Sequence, residues 1–482
     1  MEDGDRIRIV CRVRPVPTGR RPSVFVSDDT VTLTHGGYTR KTKTFAFDSV
    51  LGGGASQTDV FAAVGEPTVA SCFDGINATV LAFGQTASGK TWTMFGGGAS
   101  RLEHTLDDEA DSDGLVPRLI RRVFQLIGEA DERAEHHRVR CSFFEIYNER
   151  IYDLLDPSAL TPGMPGAPPA EGLQVRENPE HGVYVEALTE TEVGSESAAM
   201  QLLARGLRSR HVGATKMNRE SSRSHAVFSL YVQSSSEAST SAAAVPSPRR
   251  VIARSSRLAL VDLAGSERQR RTRMLGVASE LGLKESGNIN RSLSALGLVI
   301  GALVERAAGR QRHVHFRDSK LTFLLRDSLG GNARTALLAT VSPDAADLAE
   351  STRTLEFVQR AKIIVNRPKV NVDDTPIEVA LGASDVMAGG FEAELAVLRR
   401  SVSQRGSTPI LPPLPLSSFV RGRERMRASS IGAGAPKRPS TAPKWQRPSW
   451  RSRATSPRLP CGSQSKRHAR SAALAPSASP PW

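Results

Sequence analysis

The strongest constraint on the fold is a short apolar run that leads directly into a glycine-rich loop. Residues 78–83 read ATVLAF and residues 84–91 read GQTASGKT. An uninterrupted apolar run of this length is typical of a strand buried on both faces of a sheet. The loop fits the pattern G-x-x-x-x-G-K-[ST], in which backbone N–H groups surround phosphate oxygens, the lysine neutralises their charge and the hydroxyl binds Mg²⁺. The sequence therefore predicts a site for nucleotide phosphates.

Strand and helix patterns alternate along the first 365 residues. Period-2 or continuous apolar runs predict strands, and apolar residues at helical spacing predict helices. Strands are predicted at 6–13, 78–83, 140–146, 226–232, 257–263 and 335–341, and helices at 116–127, 195–207, 290–305 and 351–364. Three polar stretches, 96–113, 157–172 and 234–250, are predicted as surface insertions. The pattern favours a layered α/β domain with a central mixed sheet flanked by helices.

Two further polar segments carry residue types suited to phosphate chemistry. Residues 262–267 (DLAGSE) follow an apolar strand, where Asp262 can hold the hydration shell of Mg²⁺ and Gly265 can offer its N–H to a γ-phosphate. Residues 218–225 (NRESSRSH) combine hydroxyls with Arg223, which can pair with Glu267. Either segment alone is also compatible with an ordinary strand-end turn or a solvated loop.

The net charge of +14 is concentrated at the C-terminus. From Ser401 onward there are fifteen Lys or Arg and one acid, Glu424, so the preceding chain is neutral overall. Residues 402–482 are rich in Pro, Ser and Arg and lack apolar periodicity, which predicts a disordered basic tail. Such a tail can contact any polyanion by counterion release, or it can be a solvated linker with no dedicated partner.

Cysteine usage and hydropathy predict a reduced, intracellular protein without a membrane span. Cys11, Cys72, Cys141 and Cys461 are scattered without a CxxC pair. The acidic N-terminus lacks an apolar signal region, and no run approaches the roughly eighteen apolar residues of a spanning helix.

Taken together, these motifs resemble the kinesin motor domain over about residues 5–370. The segments GQTASGKT, NRESSRSH and DLAGSE are similar to the family's phosphate loop, first switch and second switch. Residues 12–15 (RVRP), 144–156 (FEIYNERIYDLLD), 289–300 (INRSLSALGLVI) and 316–335 (FRDSKLTFLLRDSLGGNART) agree as well. Residues 316–333 and the exit sequence RAKIIVNRPKVNVD most resemble the mitotic and phragmoplast-associated class, the twelfth in the usual numbering. The resemblance implies the P-loop NTPase-type fold of kinesins, a microtubule-stimulated ATPase using ATP and Mg²⁺, and a cytoplasmic protein on microtubules of the spindle or phragmoplast.

The resemblance also implies a role for individual residues. The catalytic group comprises Ser222, Arg223, Ser224, Gly265 and Glu267, with an Arg223–Glu267 salt bridge locking the two switches. Nucleotide-binding residues are Arg12, Arg14, Pro15, Gly84, Gln85, Thr86, Ala87, Ser88, Gly89, Lys90, Thr91, Trp92 and Asn218, with Arg12, Pro15 and Trp92 framing the base. Magnesium ligands are Thr91, Ser224 and, through water, Asp262. Microtubule-binding residues are Arg270, Arg271, Arg273, Arg291, His313, Arg317, Lys320 and Arg326.

The resemblance further divides the chain into functional segments. A motor domain is expected at 1–365, a neck linker at 363–374, a short neck helix at 375–401 and the tail at 402–482. Ile363, Ile364 and Val365 are expected to be the apolar anchors of the linker, and residues 2–5 are expected to add a strand to it. A linker C-terminal to the motor implies plus-end-directed movement. The oligomeric state stays open, as does the choice between a short motor and part of a longer product.

Two alternatives from other functional classes also stay open. One is a relative that binds microtubules and nucleotide without moving, which ATP-insensitive microtubule binding would favour. The other is a nucleic-acid-binding protein acting through the tail, where Trp445 and Trp450 lie among basic residues.

Overall fold

The computed structural model describes one folded unit, which ends in the linker. The described residues are 4–16, 18–35, 41–97, 112–131, 136–156, 172–178, 182–217, 221–237, 250–267 and 280–376. No helix within these ranges is long and apolar enough to cross a membrane. The predicted tail at 402–482 and residues 377–401 of the predicted neck helix lie outside the described residues.

Strands and helices alternate as the sequence patterns predict. The strands are β1 (Asp5–Arg6), β2 (Arg8–Val13), β3 (Val24–Ser27), β4 (Thr30–His35), β5 (Lys41–Ala46), β6 (Ser49–Leu51), β7 (Ala78–Phe83), β8 (His136–Tyr147), β9 (Arg150–Asp153), β10 (Val175–Asn178), β11 (Gly182–Val185), β12 (Thr191–Val193), β13 (His225–Glu237), β14 (Arg250–Asp262), β15 (Arg334–Val341), β16 (Val365–Asn366) and β17 (Val372–Pro376). The helices are α1 (Gln57–Val60), α2 (Glu66–Phe73), α3 (Lys90–Phe95), α4 (Leu115–Asp131), α5 (Glu196–Met217), α6 (Glu280–Ala307), α7 (Lys320–Leu324) and α8 (Leu348–Ala361). A π-helical turn, Phe61–Gly65, joins α1 to α2, and Ser221–Arg223 form a 3₁₀ turn.

A mixed sheet forms the centre of the unit. Its strand order is β12-β8-β13-β14-β7-β15-β2-β6, with β9 on β8 and β17 on β14. The strands from β14 through β7, β15 and β2 to β6 run parallel, whereas β12, β8, β13 and β14 pair antiparallel. Every residue of β7 is buried, as its continuous apolar run predicts.

Two apolar clusters cover the opposite faces of this sheet. Alternate residues of one strand point to opposite faces, so Leu81 belongs to one cluster and Val80 to the other. The Leu81 cluster includes apolar residues of α6, α7 and α8. The Val80 cluster includes residues of α2, α3, α4 and α5. The predicted layered α/β architecture is confirmed.

The prediction of a polar insertion at 234–250 was wrong at both ends. Strand β13 continues to Glu237 and β14 begins at Arg250, and the two pair in register from Ala226–Asp262 to Glu237–Val251. Backbone hydrogen bonds between two long strands continue past the buried core, where serine side chains can face water. At the predicted insertion 96–113, Gly96 and Asp113 instead form a bridge that closes its ends.

The residues predicted to form the neck linker include two short strands that pair with the folded unit. Strand β16 pairs with β1, and β17 pairs antiparallel with the N-terminal part of β14. Strand β17 continues past residue 374 through Thr375 and Pro376, and the linker boundary at 374 stays a prediction. The expected N-terminal strand is present, but it consists of Asp5 and Arg6, and residues 2–3 lie outside the described residues.

Only one of the three expected apolar anchors of the linker is buried. Ile364 is 2% exposed, whereas Ile363 and Val365 are 49% and 41% exposed. An extended chain turns alternate side chains to opposite sides, so three consecutive residues cannot all face the core. The second buried side chain of the linker is the polar Asn366.

Candidate nucleotide-binding site and its switch segments

The glycine-rich loop at 84–91, called the P-loop below, joins β7 to α3 through backbone conformations suited to glycine. Gly89 has φ +103° at the start of α3, and Ala87 has φ +62°. A Cβ atom at position 84 would lie 2.2 Å from the carbonyl oxygen of Thr340. The loop therefore needs glycine at 84 for close packing and at 89 for its left-handed turn.

Lys90 lies at the start of α3 and folds back over the loop. Its ammonium donates to the carbonyl oxygens of Gly84 at 2.9 Å and Gln85 at 2.8 Å. Burial lowers the pKa of the Lys90 ammonium, while the carboxylates of Asp262 and Glu267 oppose that shift. A nearly buried cation held at the mouth of a loop of N–H groups favours an anionic ligand.

A cleft of about 240 Å³ opens beside the P-loop. It brings together residues predicted for phosphate and for base, and its lining comprises Arg12, Arg14, Pro15, Thr86, Ala87, Ser88, Gly89, Lys90, Thr91, Trp92, Thr93 and Ser222. The indole of Trp92 offers the stacking face that the sequence predicts for a base.

Arg12 contributes to the wall of this cleft through protein contacts. Its guanidinium donates to the side chains of Gln57 at 2.8 Å and Thr93 at 2.9 Å, and to the Ala55 carbonyl at 3.3 Å. Burial lowers the Arg12 pKa to about 10, opposed by the nearby charge of Asp59. These bonds fix the wall, and the predicted contact of Arg12 with adenine stays a prediction.

The residues predicted to hold Mg²⁺ meet at the end of β14. The Thr91 hydroxyl donates to Oδ2 of Asp262 at 2.8 Å. The other carboxylate oxygen, Oδ1, is buried and has no hydrogen-bond partner in the part of the chain that the structure describes. A buried carboxylate oxygen beside a hydroxyl suits a hard, oxygen-liganded cation such as Mg²⁺, directly or through its water shell.

Arg210 of α5 belongs to this site although no sequence motif marks it. Its guanidinium is 3.1 Å from Oδ2 of Asp262 and 3.6 Å from Oε1 of Glu145, and all three side chains are almost fully buried. A buried cation between two carboxylates fixes the orientation of Asp262. The three residues are far apart in sequence, so only the fold brings them together.

Three consecutive N–H groups of the second switch, residues 262–267, bond to residues of two other segments. Ala264 donates to Nδ1 of His225 at 3.0 Å, Gly265 to the Ser222 carbonyl at 2.8 Å, and Ser266 to the Gly84 carbonyl at 3.1 Å. The second switch is therefore tied at once to the first switch, residues 218–225, and to the P-loop. The Gly265 N–H, predicted to sense a γ-phosphate, donates to Ser222 in this arrangement.

Gly265 and Glu267 are packed against Thr86 of the P-loop. A Cβ atom at position 265 would lie 2.3 Å from the Thr86 hydroxyl oxygen and 2.4 Å from a carboxylate oxygen of Glu267. Glu267 accepts from the N–H of Thr86 at 2.8 Å and from its hydroxyl at 2.5 Å. The carboxylate expected to pair with Arg223 thus contacts the P-loop here, and the Arg223–Glu267 bridge stays a prediction.

The described end of the first switch approaches the same site. Ser222 lines the cleft, and the buried Ser224 lies near Arg210, whose Nη2 is 3.4 Å from the Ser224 carbonyl and 3.5 Å from its hydroxyl. Asn218 lies outside the described residues, as do Arg270, Arg271 and Arg273. The structure thus brings the P-loop, Asp262, Gly265, Glu267, Ser222 and Ser224 together at one edge of the sheet.

The family model for the kinesin motor domain matches residues 13–364 of this chain. The chain belongs to the kinesin motor domain family. It is 42% identical over 434 residues to the kinesin-like protein KIF15 of Rattus norvegicus, and 39% identical over 442 residues to KIN-12B of Arabidopsis thaliana. These alignments cover 88% and 89% of this chain but 28% and 31% of the relatives. The resemblance to the twelfth kinesin class is confirmed.

Solved kinesin structures have the same fold. One, described as the structure of a fast kinesin, is 37% identical with a TM-score of 0.63, and the match covers 80% of this chain and 99% of that one. Another, a KIF14 dimer bound to AMP-PNP in complex with a microtubule, is 35% identical with a TM-score of 0.64. The second match covers 76% of this chain and 96% of that one.

Of the residues predicted to bind microtubules that the structure describes, Arg291 lies on α6 and Lys320 on α7, while His313, Arg317 and Arg326 lie in the segments next to α7. Arg291 on α6 and His313 are exposed. Arg317 and Arg326 are exposed too, but both pair with the carboxylate of Glu177, with Arg317 Nη2 at 3.1 Å. Hydrogen bonds from both guanidinium groups lower the Glu177 pKa. Lys320 donates from its ammonium to the Leu173 carbonyl at 2.9 Å. Lys320, Arg317 and Arg326 therefore also contact β10 or the residues just before it.

Proposed function

We propose that this chain is an ATP-driven microtubule motor that moves towards the plus end. One observation carries the proposal. The second switch, whose N–H groups contact the P-loop and the first switch, begins at the end of β14, and β17 of the proposed linker pairs with the same strand. We assign the motor to residues 1–365, the linker to 363–374, a short neck helix to 375–401 and a basic tail to 402–482. Its cellular place would be microtubules of the spindle or phragmoplast.

The chemistry is hydrolysis of ATP at the P-loop. The P-loop N–H groups and Lys90 hold the phosphates, and Trp92 stacks on the base. Thr91, Ser224 and Asp262 would hold Mg²⁺, which offsets charge on the β- and γ-phosphates. Asp262 is already oriented by Arg210, so its free oxygen faces a fixed direction.

Catalysis needs mainly positioning, because phosphoryl transfer develops charge that fixed donors can stabilise. The Gly265 N–H would exchange the Ser222 carbonyl for a γ-phosphate oxygen. Ser222 would be released towards the nucleotide by the same step. Glu267 would leave Thr86 and pair with Arg223, closing the two switches around the attacking water.

The outer face of α6 and α7 would contact the acidic surface of the microtubule. Arg291 on α6 and Arg317 and Arg326 on either side of α7 are exposed and positively charged, which gives a salt-sensitive contact. The basic run at 268–273 (RQRRTR) follows the second switch directly in sequence, so movement of that switch would alter the contact.

The proposal is tested by ATPase and gliding assays on the purified chain. Microtubules should raise the steady-state ATPase rate, and polarity-marked microtubules should glide with their minus ends leading. Lys90→Ala should abolish both, because it removes the P-loop cation, whereas Lys43→Ala on the exposed strand β5 should change neither. Microtubule binding that ATP does not alter would instead support an inactive relative.

The basic tail is proposed as an electrostatic tether to a polyanion, in the first place the microtubule. It contains the whole excess charge of the chain. Deleting residues 402–482 should weaken microtubule affinity strongly at low ionic strength and little at high, with the ATPase rate at saturating microtubules unchanged. A deletion that changed RNA affinity but not microtubule affinity would assign the tail to nucleic acid.

A further inference from the structure

His225 is a buried histidine located where the first switch, the second switch and α6 meet. It is the first residue of β13 and directly follows Ser224 of the proposed magnesium set. Its Nδ1 accepts the Ala264 N–H at 3.0 Å, and its Nε2 lies 2.8 Å from the hydroxyl oxygen of Ser292 on α6. The side chains of His225 and Ser292 are each 2% exposed.

The two contacts define the tautomer of the ring. A backbone N–H can only donate, so Nδ1 must accept from Ala264 and carry no proton. The neutral ring therefore carries its proton on Nε2, which donates to the Ser292 hydroxyl. The ring is thus an acceptor towards the second switch and a donor towards α6, and no simple aliphatic side chain can fill both roles.

The ring sits between the second switch and α6, the helix that carries Arg291. Ala264 precedes Gly265, whose N–H bonds to Ser222. The buried Ser292 follows the exposed Arg291 on α6. The 264–265 backbone cannot shift towards a γ-phosphate without pulling on the imidazole, since both hydrogen bonds are short and buried. A rigid ring transmits that displacement to Ser292.

We infer that His225 is a positioning residue whose imidazole couples the second switch to α6, and so determines how strongly the bound nucleotide changes microtubule affinity. This inference rests on the proposed function. His225 touches no substrate atom in this role. It acts through Ala264 on one side and Ser292 on the other.

Two substitutions separate the two halves of the contact. In His225→Asn the side-chain oxygen stands the same number of bonds from the backbone as Nδ1, so the bond to Ala264 can form and the bond to Ser292 is lost. In His225→Gln the amide nitrogen corresponds to Nε2, so the reverse holds. Ser292→Ala removes the acceptor on α6 alone, and Ser294→Ala, at an exposed position on the same helix, is the matched control.

The measurement is the ratio of microtubule dissociation constants with ADP and with a non-hydrolysable ATP analogue, together with ATPase rates with and without microtubules. Coupling between two sites is commonly about 5- to 150-fold. We expect His225→Asn, His225→Gln and Ser292→Ala each to reduce this ratio by about 5-fold or more. Ser292→Ala should change the ATPase rate without microtubules by less than about 2-fold. Adding Ser292→Ala to His225→Asn should not reduce the affinity ratio further, because both substitutions remove the same hydrogen bond.

Several results would overturn the inference. They are an unchanged affinity ratio in Ser292→Ala, an equal loss in Ser294→Ala, or equal reductions of ATPase with and without microtubules, which would mean a general structural defect. Independent losses in the double variant would overturn it too. A parent chain without microtubule-stimulated ATPase would instead contradict the proposed function, so the two failures are distinguishable.

Discussion

Asn366 should decide whether the linker stays docked on the motor core. Its amide nitrogen donates to the carbonyls of Ser328 at 3.0 Å and Ala333 at 2.7 Å, and to the Thr335 hydroxyl at 3.0 Å. Its oxygen accepts from the Gly330 N–H at 2.7 Å. The Asn366 side chain is 1% exposed. In Asn366→Ala these backbone and hydroxyl groups would lose their hydrogen-bond partner, and water could not reach them to replace it.

The size of the effect follows from this count of contacts. A neutral hydrogen bond contributes about 1 kcal/mol net, and a buried group left unsatisfied costs more. Four contacts that share one side chain are not fully additive, so docking of the linker should weaken by about 2–4 kcal/mol, a shift of about 30- to 1,000-fold in its equilibrium. Ile364→Ala, which removes the apolar anchor, should reduce the free energy of docking by about 2–4 kcal/mol as well, because it leaves a cavity.

The assay is the mobility of a spin label at Val372→Cys on β17, an exposed position, in a Cys461→Ser background. Asn366→Ala should convert the immobile spectrum to a mobile one, and gliding should slow while nucleotide affinity stays unchanged. Ile363→Ala, at a half-exposed neighbour, is the control and should leave the label immobile. An immobile label in Asn366→Ala alongside a mobile one in Ile364→Ala would refute the role of the buried amide.

Further predictions concern the site and the proposed microtubule face. Gly265→Ala should reduce ATPase at least about 100-fold, because its Cβ would overlap Thr86 and Glu267; wild-type turnover would contradict this packing. Glu177→Gln should tighten microtubule binding about 2- to 5-fold at low ionic strength by releasing Arg317 and Arg326, an effect that high salt should remove. Burial raises the pKa of Cys11 and Cys141 to about 12 and that of Cys72 to about 11, so alkylation at pH 8 followed by mass spectrometry should leave all three unmodified until the protein is unfolded.

The sequence predicted the features that depend on neighbouring residues. The P-loop follows a buried strand, and its glycines, lysine and threonine lie within eight consecutive residues, so a local pattern defines its geometry. Strand β7 was predicted at its observed bounds for the same reason, because a run of six apolar residues leaves little choice of face.

The sequence did not predict features that depend on distant residues. Arg210 acquires its role from Asp262 and Glu145, which the fold brings to it from two strands. The buried Asn366 was missed because a polar residue between exposed positions in an extended segment looks like solvent-facing linker, and only the surrounding carbonyl groups make burial favourable. His225 is the last residue of the motif at 218–225, but its tautomer and its two partners depend on the packing of α6 beside the second switch, which the motif does not contain.

The hydrogen bonds of the second switch connect the proposed nucleotide site to other parts of this kinesin. Leu263, Ala264, Gly265 and Ser266 donate from consecutive N–H groups to Ala82, His225, Ser222 and Gly84. These partners belong to β7, the P-loop and the first switch, so a change at the Gly265 hydrogen bond cannot be absorbed locally without breaking or moving at least one other. Leaving a buried backbone N–H without its hydrogen bond costs about 1–3 kcal/mol, so concerted movement of the bonded segments requires less free energy than breaking these bonds. A segment bonded in this way passes a small change at the phosphate to the P-loop, to the first switch and, through His225, to α6.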